Sequence, residues 1–380
     1  MAKLKPSICF ILTTDFSVKA FLLAHIKALS AHFDITVVTN TNNPNFLIEL
    51  GIPVKVIPLN IARNIHLLAD AKSLLALINL FYNMRFDAVH SVTPKAGLLA
   101  MLAAWMVRVP LRVHMFTGQV WASKSGIKRL ILKWVDCLIA ALTTHNLVDS
   151  PSQLQFLIDE RVTKQAKSTV FAKGSISGVD LARFKTDVEQ KLAIRKQLKI
   201  ADNQLVFLFI GRLNIDKGVL DLAHAFAQLN DENLHLLFVG PDEQNMRAEI
   251  INLQNNKKNV HFVGHTDKPE AFMAAADVLC LPSYREGFGA VLIEAAACGV
   301  PAIASRIYGI TDAVVDNQTG LLHPPRDVNA IKGLMACIAS NEALRHALGE
   351  QARQRVSKDF SSELITQTWV DFYQYKLGTS

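Results

Sequence analysis

The stretch 279-LCLPSYREGFGAVLIEAAACGVPAIAS-305 places an apolar strand, a glycine-spaced turn, a run of helix formers and a second apolar strand in direct succession. Val278 to Leu281 and Pro301 to Ala304 suit strands buried on both faces, and the residues between them favour helix. Gly299 and Pro301 supply the stop. Gly287 and Gly289 leave the backbone N–H groups at the helix start, around Phe288 and Ala290, open to an anion such as phosphate. Glu286 sits in the turn and Glu294, eight residues on, inside the helix. Among neighbours as apolar as AVLIEAAACGVP, a buried Glu294 costs several kcal/mol unless it is hydrogen-bonded, and a ribose diol is a candidate partner. The alternative is that Glu294 lies on the helix's wet face.

Outward from this segment, strand-like runs alternate with helical patterns along the whole chain. Ile8 to Thr13, Ile35 to Thr39, Val54 to Pro58, Ala88 to Val92, Arg112 to Phe116 and Asn146 to Asp149 fill the first half, and the alternation restarts at Leu205 to Ile210. Strands spaced by helices predict parallel, helix-covered sheets. The 380 residues fit two domains of roughly 180 each. The fold class is α/β, with two doubly wound Rossmann-like domains. We place an N-terminal domain over 1–190, a C-terminal domain over 191–360 and a C-terminal helix over 361–380 that caps a core, crossing back to the first domain, or else serves binding. The charged stretch Lys185 to Asp202 marks the boundary.

Composition excludes several classes. The longest apolar runs, such as Gly97 to Val107, fall short of the roughly 20 residues that span a bilayer. MAKLKPSICFILTTDFS reads as a first strand, not a signal peptide. The five cysteines are widely spaced in apolar surroundings, as reduced core residues of a cytosolic protein would be. Residues 1–186 hold 21 Lys and Arg against 10 Asp and Glu, a net of +11, whereas 187–380 hold 19 against 23, a net of −4. A basic first half serves nucleic acid, an anionic membrane or a phosphorylated substrate. No RNA-binding aromatic signature, zinc-finger spacing or basic heptad helix supports nucleic acid.

Open parallel sheets bind ligands outside the carboxyl ends of their strands. In the second half those loops are GRLNIDKG at Gly211 to Gly218, with Arg212 and Lys217, then Gly240-Pro241, then Gly264-His265, then the opening segment. Two cations beside a helix N-terminus fit a diphosphate. Asp-x-Asp, metal-spaced His and acidic clusters, GxxxxGK[ST] and GxGxxG are all missing. The reading is therefore that side chains, with no metal or cofactor, neutralise the phosphates, and that the chain is no nicotinamide dehydrogenase.

GRLNIDKG with the Glu-x7-Glu pattern resembles the family 4 glycosyltransferases, retaining enzymes of the two-Rossmann-domain (GT-B) fold whose domains face a central cleft. HSVTPKAGLLAMLAAW, RVHMFTGQVW and GSISGVDLARF are similar to the branch that builds surface polysaccharides or lipid-linked oligosaccharides. The resemblance implies that Arg212 and Lys217 bind the donor diphosphate and that Glu294 takes the ribose hydroxyls. It implies that Glu286, with the amides of Gly287 to Gly289, faces the transferred sugar. A UDP-sugar is favoured as donor, with GDP open. Relatives carry a glycine pair in the first loop, where this chain has Thr13-Thr14-Asp15-Phe16-Ser17, and a histidine where it has Thr117 before Gly118. His114 is then a catalytic candidate or a core residue.

The acceptor side falls to the first domain, at Thr14, Thr93, Lys95, Thr117, Gly118 and Lys124. WASKSGIKRLILKW sets Lys124, Lys128, Arg129 and Lys133 about an amphipathic helix with Trp134, which either rests on anionic headgroups or packs its apolar face inward. The expectation is a peripheral enzyme on the inner face of the cytoplasmic membrane, acting on a polyprenyl-diphosphate-linked or surface glycan. The alternative is a UDP-sugar epimerase of the same architecture.

Overall fold

The computed structural model describes residues 5–61, 66–254 and 258–379. Residues 1–4, the head of the stretch read as a first strand, lie outside the described residues. The chain divides into two compact units, one running to Ser177 and rejoined by the residues from Ser362, the other Gly178–Ser361.

The first unit holds β1 (Ser7–Ile11), β2 (Asp34–Thr39), β3 (Lys55–Pro58), β4 (Ala88–Ser91), β5 (Leu111–Phe116), β6 (His145–Val148) and β7 (Ser168–Thr169). They pair in parallel in the order β3-β2-β1-β4-β5-β6-β7. Side chains alternate across a strand, so Ile8 and Phe10 enter one core while Cys9 and Ile11 enter the other. Both faces are covered by helices, which is why the inner strands are mostly apolar, with Thr36, His90, Ser91, His114 and Asn146 buried among them. The helix Ser362–Leu377 belongs to this unit and buries Ile365, Trp369, Val370 and Tyr373. The Trp369 ring stacks between His25 and His90, each 5.0 Å away.

The second unit holds β8 (Leu205–Ile210), β9 (Leu234–Val239), β10 (Val260–Val263), β11 (Val278–Leu281), β12 (Ala302–Ser305) and β13 (Gly320–His323), in the parallel order β10-β9-β8-β11-β12-β13. The helix Ala290–Ala297 joins β11 to β12, and Gly299 at φ +77° ends that turn in a conformation only glycine adopts cheaply. In each sheet the order reverses once, beside β1 and beside β8, so the loops leaving the central strands diverge and open a crevice at their carboxyl ends.

The cysteines are free but not all core: Cys9, Cys280 and Cys298 are buried, Cys137 is partly exposed, and Cys337 is exposed. Cys337 lies on the wet side of the helix Val328–Ser340, whose buried residues are Ile331, Met335 and Ile338. Among the described residues no helix is long and apolar enough to cross a membrane.

Candidate functional site

In the second unit, four loops meet at the carboxyl ends of β8, β9, β11 and β12, and glycines let them approach. A Cβ on Gly218 would lie 2.1 Å from the Pro282 carbonyl oxygen, one on Gly240 2.0 Å from that of Gly211, and one on Gly309 2.4 Å from that of Gly287. Side chains at these three positions would push backbone against backbone, which no rotamer change relieves. The Asn214 side chain caps the short turn Ile215–Lys217 by accepting from Lys217 N at 3.2 Å.

That turn delivers Lys217 to the opening segment. Lys217 Nζ lies 2.5 Å from Glu286 Oε1, with both side chains mostly buried. Tyr284 N donates to Asp216 O at 2.9 Å, and Arg285 Nε donates to Asp216 at 3.1 Å. Arg212 points the other way, to Glu243 after β9, at 2.9 Å. Gly264 also reaches this edge, where its carbonyl accepts from Gly240 N at 3.1 Å.

Beyond Glu286, Phe288 is buried against Phe360, ring centroids 5.2 Å apart, and pins the turn from below. Gly289, at φ +84°, starts the helix without a side-chain cap. Among the described residues no partner takes the amides of Gly289 and Ala290. Glu294 sits inside the helix, partly covered. Burial pushes its carboxyl up to about 7, with Arg183 pulling it down and Glu270 adding to the rise. Among the described residues nothing donates to that carboxylate, which leaves it able to accept a hydrogen bond from outside the protein.

In the first unit, Thr14, Thr93, Thr117 and Gly118 lie at the carboxyl ends of β1, β4 and β5. Thr14 Oγ1 caps the helix Asp15–Phe21 through Ser17 N at 3.2 Å, leaving Phe16 exposed beside it. Lys95 is tied to Asp70 at 2.7 Å, which neutralises it. Lys124 is exposed.

His114 has to leave the catalytic set. It is 1% exposed, its Nδ1 shares a hydrogen bond with Ser91 Oγ at 2.8 Å, and its ring occupies the room that Gly97 leaves by having no side chain. Burial pushes the imidazole down to about 3. Of the two readings of His114, this enclosure fits the core residue.

The amphipathic helix, Gly126–Leu142, turns its first half outward. Ile127, Leu130, Ile131 and Trp134 are 73%, 65%, 57% and 64% exposed and recur at the i, i+3, i+4, i+7 spacing of one face. Two of its cations are engaged elsewhere: Arg129 and Lys133 both pair with Glu160 at 2.5 Å and lie over the Trp121 ring. Trp121 Nε1 donates to the buried Asp136 at 2.7 Å, which anchors the loop before the helix.

Sequence reasoning missed Glu243 and Asp216, the carboxylates that hold Arg212 and Arg285. The signal for Glu243 was the Gly240-Pro241-Asp242-Glu243 loop, an acidic residue at the carboxyl end of a strand.

Residues 190–355 match the family of glycosyl transferases group 1, and residues 19–174 match the glycosyl transferase 4-like domain. The capsular polysaccharide biosynthesis glycosyltransferase CapM of Staphylococcus aureus is 32% identical over 330 residues, 86% of each chain. The UDP-Gal:alpha-D-GlcNAc-diphosphoundecaprenol alpha-1,3-galactosyltransferase of Escherichia coli is 27% identical over 337 residues, 87% of this chain and 86% of its own. Among solved structures, a sucrose-phosphate synthase from Thermosynechococcus elongatus superposes with a TM-score of 0.82 at 23% identity, over 99% of this chain and 100% of that one. Anabaena HepE, solved in complex with UDP-glucose, superposes with a TM-score of 0.81 at 19% identity, over 97% and 99%. At such identities these two likenesses speak for the fold.

Proposed function

This chain belongs to the group 1 glycosyl transferases, with the GT-B fold, and from that membership we propose a metal-independent, retaining transfer of a hexose or N-acetylhexosamine from a nucleoside-diphosphate sugar. The observation that carries the reading is the meeting of Lys217 with Glu286 beside the uncapped start of Ala290–Ala297, with no protein donor on Glu294 among the described residues. Arg212 and Lys217 take the diphosphate, Glu294 the ribose hydroxyls, and Glu286 the sugar. In the reaction the bond from the anomeric carbon to the diphosphate oxygen breaks while the acceptor oxygen bonds to the same face. The acceptor's proton passes to the leaving diphosphate, whose growing charge the two cations stabilise in place.

The donor is UDP-linked in this reading, because the Escherichia coli relative is named for a UDP-sugar and Anabaena HepE was solved with one. The acceptor is a lipid-linked glycan: that relative is named for a diphosphoundecaprenol acceptor, as is a Campylobacter jejuni N-acetylgalactosaminyltransferase that is 25% identical over 94% of this chain. Thr14, Thr93, Thr117, Gly118 and Lys124 frame the acceptor's side. The outward apolar stripe of Gly126–Leu142, with Lys124 and Lys128 beside it, rests on the anionic inner face of the cytoplasmic membrane. None of these relatives is named as an epimerase.

A panel of UDP- and GDP-sugars with a polyprenyl-diphosphate-linked acceptor, read by mass spectrometry, tests the assignment. A product heavier than the acceptor by one sugar is expected. Epimerised sugar nucleotide formed without acceptor would overturn it.

A further inference from the structure

The loops after β8 and β9 are laced together. Leu213 N donates to Pro241 O at 2.9 Å, and Glu243 N donates to Leu213 O at 3.2 Å. Across this seam the Glu243 carboxylate accepts from Arg212 Nη1, forked to both oxygens at 3.1 and 2.9 Å, and from Asn214 Nδ2 at 3.2 Å. Asn214 is also the residue that caps the Lys217 turn. Next to it, Gln244 Oε1 accepts from Ile215 N at 2.9 Å. One carboxylate thus bears on both cations of the segment.

The manner in which Arg212 is held leaves a specific edge free. Both bonds to Glu243 come from Nη1, and among the described residues Nε and Nη2 donate to nothing. A guanidinium carries five N–H groups in a rigid plane, and its Nε–Nη2 edge is a two-pronged donor suited to phosphate oxygens. With side chains 37% and 33% exposed, the Arg212–Glu243 pair adds little to stability. Its effect is on orientation: an arginine fixed beforehand loses less rotamer freedom when an anion arrives.

We propose that Glu243 is a positioning residue for the donor, acting through Arg212 by presenting the Nε–Nη2 edge to the diphosphate and through Asn214 by steadying Lys217. The proposal rests on the reading that Arg212 meets that diphosphate.

The test is calorimetric titration of UDP into the full-length wild type, R212A, E243A, E243Q and the R212A/E243A double variant, with donor KM and kcat for each and a thermal melt to separate unfolding from lost binding. Losing a hydrogen bond to a charged group corresponds to about tenfold in affinity. R212A is expected to weaken UDP by about tenfold or more, and E243A by somewhat less, with donor KM rising more than kcat falls. E243Q, which keeps the accepting oxygen, should recover most of the loss, and removing Glu243 on the R212A background should cost less than it does alone, the remainder being the part that runs through Asn214 to Lys217. E243A with wild-type UDP affinity, or a loss that persists in full on the R212A background, overturns the proposal. Undiminished affinity in R212A overturns the diphosphate reading instead, and the proposal with it.

Discussion

Lys217 Nζ lies 2.5 Å from Glu286 Oε1, so the loops leaving β8 and β11, 69 residues apart in the chain, are joined through two opposite charges at the mouth of the proposed donor site. Removing either charge leaves the other partly buried and unpaired. Because the task proposed for the cation is to stabilise a leaving diphosphate, Lys217→Ala should lower kcat by about 10²–10³, as loss of a transition-state donor does elsewhere. Glu286→Gln keeps the shape and should lower turnover with little change in melting temperature. Initial rates with a nucleotide sugar and lipid-linked acceptor decide it; a wild-type kcat for Lys217→Ala would end the role assigned to that lysine.

Glu294 couples binding to stability with a defined sign. Its carboxyl is pushed up from 4.5 to about 7 in the folded chain, so the unfolded state releases its proton first as pH rises. The folded state is therefore unpenalised below the ordinary value, loses stability as pH climbs toward 7, and levels off above it. Glu294→Gln should remove that slope. The variant should melt near the wild-type temperature around pH 4.5 and be more stable at pH 8, by at most about 3.5 kcal/mol at 1.4 kcal/mol per pH unit. On the proposed role it should also bind UDP more weakly, since a neutral amide replaces the carboxylate assigned to the ribose. Melts at the two pH values with a UDP titration check both halves, and equal melting temperatures at pH 8 would remove the buried-carboxylate account.

The alternation of apolar runs with helical stretches made the fold readable, because a strand covered on both faces favours apolar residues at most positions, as β8 (LVFLFI) shows most plainly. Arg212, Lys217 and Glu286 were readable for a local reason: each follows an apolar strand within a few residues, in a glycine-bounded loop. What the sequence hides is pairing across distance. Nothing near Arg212 announces Glu243, 31 residues on, because their meeting depends on β8 and β9 lying side by side. His114 misled for the converse reason. It sits near the end of an apolar strand, where ligands collect, yet its side chain faces helix Pro94–Met106, and only the missing Cβ of Gly97 explains how it fits.

That fit makes a packing prediction. A Cβ on Gly97 would lie 2.4 Å from His114 Cε1, so Gly97→Ala should destabilise the first unit by about 1–3 kcal/mol through overpacking. His114→Ala opens a void of its own, but the double variant should be more stable than the two losses added together, because the new methyl enters the space the ring vacated. A denaturant double-mutant cycle measures the coupling. Strict additivity would show that the two side chains do not contend for one space.

The outward stripe on Gly126–Leu142 separates binding from folding. Ile131 and Trp134 are 57% and 64% exposed, so Ile131→Ser with Trp134→Ser should leave stability within about 0.5 kcal/mol per site. On vesicles containing an anionic lipid, the wild type should co-float and the double variant should not, and added salt should weaken the wild type by screening Lys124 and Lys128. Wild type that stays unbound to anionic vesicles at low salt would remove the membrane from the proposed function.

Acid should act on the first unit in the opposite sense to Glu294 in the second. His25 is locked between Thr366 Oγ1 and the Ile176 carbonyl, each at 2.9 Å, and His90 Nδ1 meets Tyr373 Oη at 2.6 Å, with Trp369 stacked between the two rings. Burial lowers His25 to about 4 and holds His90 well below its ordinary value. Between 6.5 and the folded value, the unfolded chain binds more protons, so stability present above 6.5 is lost as pH falls toward 4. The docking of Ser362–Leu377 depends on these neutral rings, so its amides should exchange faster at pH 5 than at pH 7.5, after correction for intrinsic rates. His25→Gln keeps a donor and an acceptor but cannot titrate, and it should flatten part of that dependence. Trp369→Ala should cost about 3–5 kcal/mol at either pH by emptying the stack. Exchange in this helix that is indifferent to pH would show that charging these histidines does not loosen it.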